Sequence, residues 1–239
     1  RRMKKHYLSA LVLALFTATA SAQITTKEQA KAHIEALRVA DTEAADDAIS
    51  AVNAASNEAG YNQAVKDFYQ AINGSKVYFT NSARGAKNYL TLSPAFAAAG
   101  DRADTPTAEN VFELEYDEAN NSFALSHAVT GRALKNLPGF NNPVPTTAEE
   151  GGLYSFVVSG QNNTFSLRND ATGGTHNVLH LAGDKTGAQY NVVRWSAGSS
   201  ALTDPSTWAI ESAENVTDNQ LKAAALQRLL SFDLTSNIG

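Results

Sequence analysis

The chain contains no cysteine among its 239 residues. This absence excludes disulfide bonds, a thiol nucleophile and lipidation of an N-terminal cysteine. An excess of basic charge is also missing, because the formal net charge is −5 and the sequence pI is about 5.5. Nucleic acids and anionic membranes favour basic surfaces, so we expect neither as a partner.

Common catalytic motifs are absent as well. There is no G-x-S-x-G elbow, no phosphate-binding glycine loop and no dinucleotide fingerprint. His176 and His180 are four residues apart, a zinc spacing only on a helix, whereas their surroundings predict a turn and a strand. Glu113 and Glu115 alternate with apolar residues, which favours a solvated strand face over a glycosidase pair. We therefore predict no enzyme, no cofactor and no metal.

The sequence has no apolar run long enough to span a bilayer, since Leu8–Phe16 is short. Met3-Lys4-Lys5 precedes this run and Ala20-Ser21-Ala22 follows it, which is typical of a secretory signal peptide over residues 1–22. The alternative is a retained N-terminal anchor. Export without disulfides favours a bacterial protein of the periplasm, the cell surface or the extracellular space.

Residues 23–75 are alanine-rich and have a helical pattern. Thr25 and Thr26 each precede a Glu or Gln at the capping-box spacing, and three apolar stripes follow at helical spacing. We predict a helical segment of two or three packed helices; the alternative is a helix pair that docks a partner.

A second helical segment is predicted over residues 213–239. Thr217 precedes Gln220 at the same capping spacing. The predicted apolar face consists of Leu221, Ala224, Ala225, Leu229, Leu230 and Phe232. No clear terminal element follows, which favours a truncated segment and further domains of the same polypeptide.

Residues 76–212 contain three similar units. In each, apolar residues two apart are followed by a polar run that ends at Gly85, Gly131 or Gly173, with intervals of 46 (131 − 85) and 42 (173 − 131) residues. Short β-branched and aromatic runs between turn residues predict strands, although residues 94–108 and 138–152 read as loops. Three units of four strands predict a mainly β fold, a closed barrel with a three-fold axis.

The third unit resembles one repeat of a ricin-type β-trefoil lectin domain. The matching segments are Val178-Leu179-His180-Leu181 for the family's C-L-D-V strand, Val192-Val193-Arg194-Trp195 for V-Q-L-W, and Ser206-Thr207-Trp208 for Q-x-W. The resemblance covers residues 76–212 and implies a β-trefoil domain. It implies core positions for Trp208, Phe112, Phe156, Leu90, Leu134 and Leu179.

The same resemblance implies a sugar pocket beside Trp195. The family's sugar-binding aspartate is replaced in the three units by Thr91, Lys135 and His180, and the closing glutamine by Ser206 in the third unit. A partly exposed tryptophan ring can stack on a sugar while polar groups bind its hydroxyls. The candidate ligand-binding residues are Trp195, His180, Asn177, Asn191, Arg194 and Asp204. The alternative is that Trp195 and His180 are packing residues.

These patterns favour an exported, non-catalytic, carbohydrate-binding-like module, part of a larger bacterial protein, with a glycan as partner. The second hypothesis is a structural or protein-interaction trefoil that has lost its sugar pockets. The third is a protease-inhibitor-like trefoil that uses an exposed loop such as Pro138–Pro145.

Overall fold

The computed structural model describes residues 24–158, 163–171, 173, 177–196 and 204–236. The predicted signal peptide, residues 1–22, lies outside this part of the chain, as does His176. None of the helices within it has the length and hydropathy needed to cross a bilayer.

Four α-helices occur in the described residues: Lys27–Leu37 (α1), Thr42–Ala54 (α2), Glu58–Ala71 (α3) and Asp218–Ser236 (α4). Thr26 caps α1 in a capping box with Gln29, as predicted. Asp41 and Asn57 cap α2 and α3 with their side-chain oxygens. The local sequence therefore defines each of the first three helix starts.

The first three helices share a hydrophobic core with the β-sheet. Ile34, Val65 and Phe68 are buried in one continuous cluster with sheet residues. The Tyr69 ring packs edge-on against Phe123, with 5.1 Å between ring centroids. The helical segment is thus packed onto the sheet.

Twelve strands form one curled sheet in the described residues. They are Lys76–Asn81 (β1), Asn88–Leu92 (β2), Ala98–Arg102 (β3), Val111–Asp117 (β4), Ser122–His127 (β5), Arg132–Leu134 (β6), Thr146–Thr147 (β7), Ser155–Val158 (β8), Phe165–Arg168 (β9), Val178–Thr186 (β10), Gln189–Trp195 (β11) and Ala209–Ser212 (β12). The loop predictions for 94–108 and 138–152 were wrong in part, since those ranges contain β3 and β7.

All strand pairs are antiparallel, and β12 returns to pair with β1 through Val77↔Ser212. Consecutive strands pair as β1–β2, β2–β3, β4–β5, β5–β6, β6–β7, β8–β9, β9–β10 and β10–β11. In addition, β1 pairs with β4 through Val77↔Phe112. Isolated bridges join Phe123 to Tyr154 and Phe165 to Trp208.

The predicted core residues are buried. Leu90, Leu134, Leu179, Phe112 and Trp208 are all 0% exposed, and Phe156 is 3% exposed. Trp208 Nε1 donates a hydrogen bond to the Leu179 carbonyl at 3.0 Å.

The strand register changes one sequence assignment. The resemblance implies that Phe112 in the first unit and Phe156 in the second take the place that Trp208 has in the third. Phe123 bridges to Tyr154 instead, whereas Phe156 pairs with Leu167 on β9. Tyr154, two residues before Phe156, therefore holds the place predicted for Phe156. Because side chains alternate along a strand, a shift of two residues keeps the side chain on the same face.

Helix α4 packs on the sheet through only part of its predicted apolar face. Leu221 joins a second cluster with Tyr78, Tyr89 and Val111, and Ala224 and Ala225 pack against it. In contrast, the other predicted face members, Leu229, Leu230 and Phe232, are 66%, 54% and 39% exposed, although the Phe232 ring stacks on Phe96.

A charged anchor completes the contact of α4 with the sheet. Arg228 donates from Nε and Nη2 to Glu109 Oε2, at 3.0 and 2.7 Å, and from Nη2 to the Leu92 carbonyl at 2.9 Å. The side chains of Arg228 and Glu109 are only 14% and 31% exposed.

We expect Arg228→Ala to loosen α4 from the sheet. Hydrogen bonds to charged groups contribute about 1.5–3 kcal/mol each before solvent screening, so we expect a loss of about 1–2 kcal/mol. Amide hydrogen exchange along α4 should quicken while β10 keeps its protection. The matched control is Lys222→Ala, an exposed residue of the same helix. Unchanged exchange in α4 of Arg228→Ala would contradict the anchoring role.

Candidate functional site

The β10–β11 hairpin places the predicted site residues on two opposite faces. Directly paired residues of antiparallel strands share a face, and neighbours alternate. Val178 pairs with Trp195 and His180 with Val193, whereas Leu179 pairs with Arg194. Leu179 belongs to the core cluster. His180 and Trp195 therefore lie together on the outer face of the sheet.

Three rings form an aromatic stack on this outer face. The Trp195 ring stacks on His180, with centroids 4.9 Å apart and an interplanar angle of 19°. It also stacks on Phe140, at 4.7 Å and 26°. Trp195 is half-buried, and Phe140 is 50% exposed. The stack thus presents an aromatic surface to solvent.

Phe140 reaches Trp195 because its loop lies along β11. Asn141 N donates to the Arg194 carbonyl at 2.9 Å, and Pro143 forms a bridge with Val193. In the sequence, Phe140 belongs to the exposed loop Pro138–Pro145 and was not predicted to be part of the sugar pocket. An isolated aromatic residue in a Gly- and Pro-rich loop was the available signal.

His180 is buried and neutral at pH 7. Its Nδ1 lies 2.7 Å from Ser206 Oγ. Burial, and secondly the positive charge of Arg84, lower the pKa of His180 to about 4. The two departures from the lectin pattern, His180 and Ser206, are therefore in contact with each other.

Arg84 is a second residue that the sequence reading did not assign to the site. It lies in the turn between β1 and β2 with a φ of 66°. Its Nη2 donates to the Leu181 carbonyl at 2.9 Å, next to His180 along β10. The turn of the first unit thus brings a guanidinium to the hairpin of the third.

Arg194 and Asn177 are engaged in other contacts. Arg194 donates from Nη1 to the Pro138 carbonyl at 3.0 Å and from Nη2 to the Gly173 carbonyl at 2.8 Å. Asn177 is 1% exposed and donates to the Asp170 carboxylate. Both side chains join loops around the hairpin.

Asn191 lies away from the aromatic stack. It is four residues from Trp195 along β11, or roughly 13 Å at the usual rise of a strand. Its Nδ2 donates to Asp184 Oδ2 at 2.5 Å, and its Oδ1 accepts from Thr186 Oγ1 at 2.9 Å. Asp204 begins the 3-10 turn Asp204–Ser206, and its side chain lies outside the described residues. Of the six predicted residues, the structure brings Trp195 and His180 into contact.

A separate polar cleft of about 400 Å³ lies between the second and third units. Its lining includes Asn136, Glu150, Asn169 and an ion pair in which Arg168 Nε lies 2.8 Å from Asp170 Oδ1. The residues that line it include no aromatic ring, which makes it a weaker candidate for a sugar site. Within the described residues, no group of three or more His, Asp or Glu could hold a metal ion.

No protein-family model and no curated protein matches the chain. Among solved structures, the chain is similar to a mosquitocidal holotoxin, at 14% identity and a TM-score of 0.48 over 59% of this chain and 16% of that one. It is similar to the BEL β-trefoil, at 13% identity and a TM-score of 0.45 over 59% and 94% of the two chains. It is also similar to the Polyporus squamosus lectin bound to the epitope Neu5Aca2-6Galb1-4GlcNAc, at 18% identity and a TM-score of 0.45 over 58% and 49%.

The solved structures similar to this chain thus include β-trefoil lectins. The chain spans about one sixth of the holotoxin and about half of the Polyporus squamosus lectin. At these TM-scores and identities, the likenesses say nothing about what this chain binds.

Proposed function

We propose that residues 76–212 form a β-trefoil of three four-stranded units. The turn glycine of each unit has a positive φ, at 74°, 65° and 65° for Gly85, Gly131 and Gly173. The residue eight positions before each glycine pairs with the aromatic residue of that unit's fourth strand segment. These pairs are Val77↔Phe112, Phe123↔Tyr154 and Phe165↔Trp208.

Buried polar side chains support the same repeat. The residue four positions before each turn glycine is buried and bonds a carbonyl in the segment that leads to the fourth strand of another unit: the third unit for Asn81, the first for His127 and the second for Asn169. The bonds are Asn81 Nδ2 to Pro205 O at 3.0 Å, His127 Nε2 to Glu109 O at 2.9 Å and Asn169 Nδ2 to Leu153 O at 2.9 Å. A satisfied buried polar group fixes register, so its recurrence favours three equivalent units.

The hairpins β2–β3, β6–β7 and β10–β11 also contact one another. β3 pairs with β11 through Asn191↔Ala99. Ala97 before β3 bridges to Pro145 before β7, and Pro143 bridges to Val193 on β11. A closed ring of outer strands capped by three mutually contacting hairpins is the architecture that the repeat predicts. This arrangement supports the β-trefoil proposal.

We further propose that this module binds carbohydrate on the aromatic stack of Phe140, Trp195 and His180. The strand register places Asp101 in the first unit and Thr147 in the second where the third has Trp195. Only the third unit therefore offers a ring at this place. The exposed stack is the observation that carries the proposal, since aromatic faces pack against the C–H faces of sugars.

The module is proposed to act without catalysis, within a larger exported bacterial polypeptide. The support is the absence of catalytic motifs from the sequence and the signal-like pattern of residues 1–22. Secretion of a reporter fused behind residues 1–22, followed by N-terminal sequencing, would test export. Retention of the intact N-terminus in the membrane fraction would favour an anchor instead.

We expect Trp195→Ala to weaken glycan binding about tenfold or more, equivalent to about 1.4 kcal/mol or more. Binding is measured on a panel of plant, host and bacterial glycans and then by titration calorimetry on the members that bind. Phe140→Ala should weaken the same binding.

The matched control for these variants is Leu226→Ala, which removes an exposed apolar side chain of α4, far from β11 in the sequence. It should leave glycan binding unchanged. Absence of binding across the panel would favour the alternative function, a structural or protein-interaction trefoil. That alternative has one specific observation behind it, because Trp195 is already stacked on two protein rings.

A further inference from the structure

Arg84 holds an unfavourable backbone conformation. Its φ of 66° lies in the left-handed region, which a non-glycine residue other than Asn or Asp seldom adopts. Such a conformation is strained and is found preferentially at functional sites. Here it directs the guanidinium across to β10, where Nη2 meets the Leu181 carbonyl.

The guanidinium retains unused hydrogen-bonding capacity. Among the described residues, Nε and Nη1 of Arg84 have no hydrogen-bond acceptor, and no carboxylate forms an ion pair with Arg84. The residue is exposed. Gly183 lies against the guanidinium and adds no side chain over it. An arginine fork of this kind suits a carboxylate, which it can bind with two parallel hydrogen bonds.

The guanidinium of Arg84 lies near the His180 end of the aromatic stack, because its acceptor Leu181 follows His180 along β10. Burial is the main cause that lowers the pKa of His180, the charge of Arg84 is the second cause, and the His180 ring stacks on Trp195. The neutral His180 leaves Arg84 without a counter-charge from this position, so the site can take a negative charge from its ligand.

We infer that the site binds an acidic sugar residue, a uronic or a sialic acid, whose ring packs on Phe140 and Trp195 while its carboxylate pairs with Arg84. This inference rests on the proposed carbohydrate binding. It adds the charge class of the glycan and a residue that selects it.

The test compares each acidic ligand with its neutral counterpart by titration calorimetry. The pairs are trigalacturonate with its methyl ester, and sialyllactose with lactose, alongside the acidic and neutral members of a glycan panel. We expect about tenfold or greater preference for the acidic member, equivalent to about 1.4 kcal/mol. Sodium chloride at about 0.5 M should reduce this preference, because salt screens exposed charges. The pair that shows the preference identifies the acid.

Arg84→Asn removes the guanidinium while keeping a residue that tolerates a positive φ. The variant should therefore fold with an unchanged or slightly raised Tm. We expect it to lose the preference for acidic ligands and to bind the neutral members as before. The matched control, Arg102→Asn, removes another exposed arginine at the end of β3 and should keep the preference.

Two failures of this test have different meanings. Equal Trp195-dependent binding of acidic and neutral glycans, or an acidic preference that survives Arg84→Asn, would overturn the inference and leave the carbohydrate-binding proposal standing. If no glycan of the panel binds in a Trp195-dependent way, the carbohydrate-binding proposal is wrong, and the inference is wrong with it.

Discussion

Trp208→Ala should lower the free energy of unfolding by about 3–5 kcal/mol, the usual cost of truncating a large buried aromatic residue. Trp208 is 0% exposed and bridges to Phe165. Its Nε1 hydrogen bond to the Leu179 carbonyl, at 3.0 Å, is lost in the variant, which leaves a buried acceptor without its donor. Urea unfolding followed by far-ultraviolet circular dichroism measures the change.

The matched comparison is Trp195→Ala, which should cost about 1 kcal/mol or less, because Trp195 is half-buried on the outer face. The chain contains two tryptophans, so each variant leaves a single indole fluorophore. The remaining Trp208 should emit at short wavelength in Trp195→Ala and be shielded from iodide, whereas Trp195 should be quenched in Trp208→Ala if that variant still folds. Equal losses of stability would contradict the assignment of one tryptophan to the core and the other to the surface.

The sequence predicted strands and turns best where alternating apolar residues lead into a glycine turn. Gly85, Gly131 and Gly173 mark turns that need a positive φ, and alternating apolar residues precede each of them. Such signals are local, so they can be read without knowledge of the partner strand.

The third strands of the first two units could not be read in the same way. β3 contains Ala98, Gly100 and Asp101, and β7 has two residues, Thr146 and Thr147. Neither has the β-branched or aromatic alternation of a half-buried strand. β3 pairs with β11 of another hairpin, for example through Tyr190↔Gly100, and β7 is defined by its pairing with β6, so both depend on tertiary structure. A side chain on Gly100 would also clash with Leu181, since an added Cβ would lie 2.3 Å from its Cδ1.

Only the site residues on the β10–β11 hairpin could be predicted from the sequence. Trp195 and His180 belong to the family-like segment, and their contact follows from the pairing of β10 with β11. Phe140 and Arg84 come from the second and first units, 55 (195 − 140) and 111 (195 − 84) residues before Trp195. No periodicity links them to the hairpin, because they reach it through the mutual packing of the units. The substitution of the aspartate by His180 was visible in the sequence, whereas the arginine beside it was not.

The stability of the protein should also fall between pH 6.5 and about 4 because of His127. Burial is the main cause that lowers its pKa to about 4, and the Arg228 charge acts in the same direction. A hydrogen bond to the Glu109 carbonyl and the Glu109 carboxylate, 3.7 Å from Nε2, act in the opposite direction. Thr130 Oγ1 lies 3.0 Å from Nδ1. The folded protein therefore favours the neutral imidazole.

The sign follows from comparison with the unfolded chain, in which the histidine pKa is about 6.5. Above pH 6.5 neither state binds this proton, so the contribution of His127 is complete. As the pH falls from 6.5 to about 4, the unfolded chain gains a proton that the folded protein does not, and stability falls by about 3 kcal/mol, an order-of-magnitude value. Below about pH 4 both states are protonated and the contribution changes no further.

His127→Asn isolates this contribution from the titration of the carboxylates. Asparagine already stands at the corresponding places of the other units, as Asn81 and Asn169, where its amide bonds a backbone carbonyl. The variant should therefore fold, at a cost of about 1–2 kcal/mol near pH 7 for the smaller side chain. Its unfolding free energy, measured in urea at several values of pH, should decline less steeply than that of the unaltered protein between pH 6.5 and 4. Parallel declines would mean that His127 is protonated in the folded protein as readily as in the unfolded chain. The His127 ring would then be accessible to solvent protons in the folded protein.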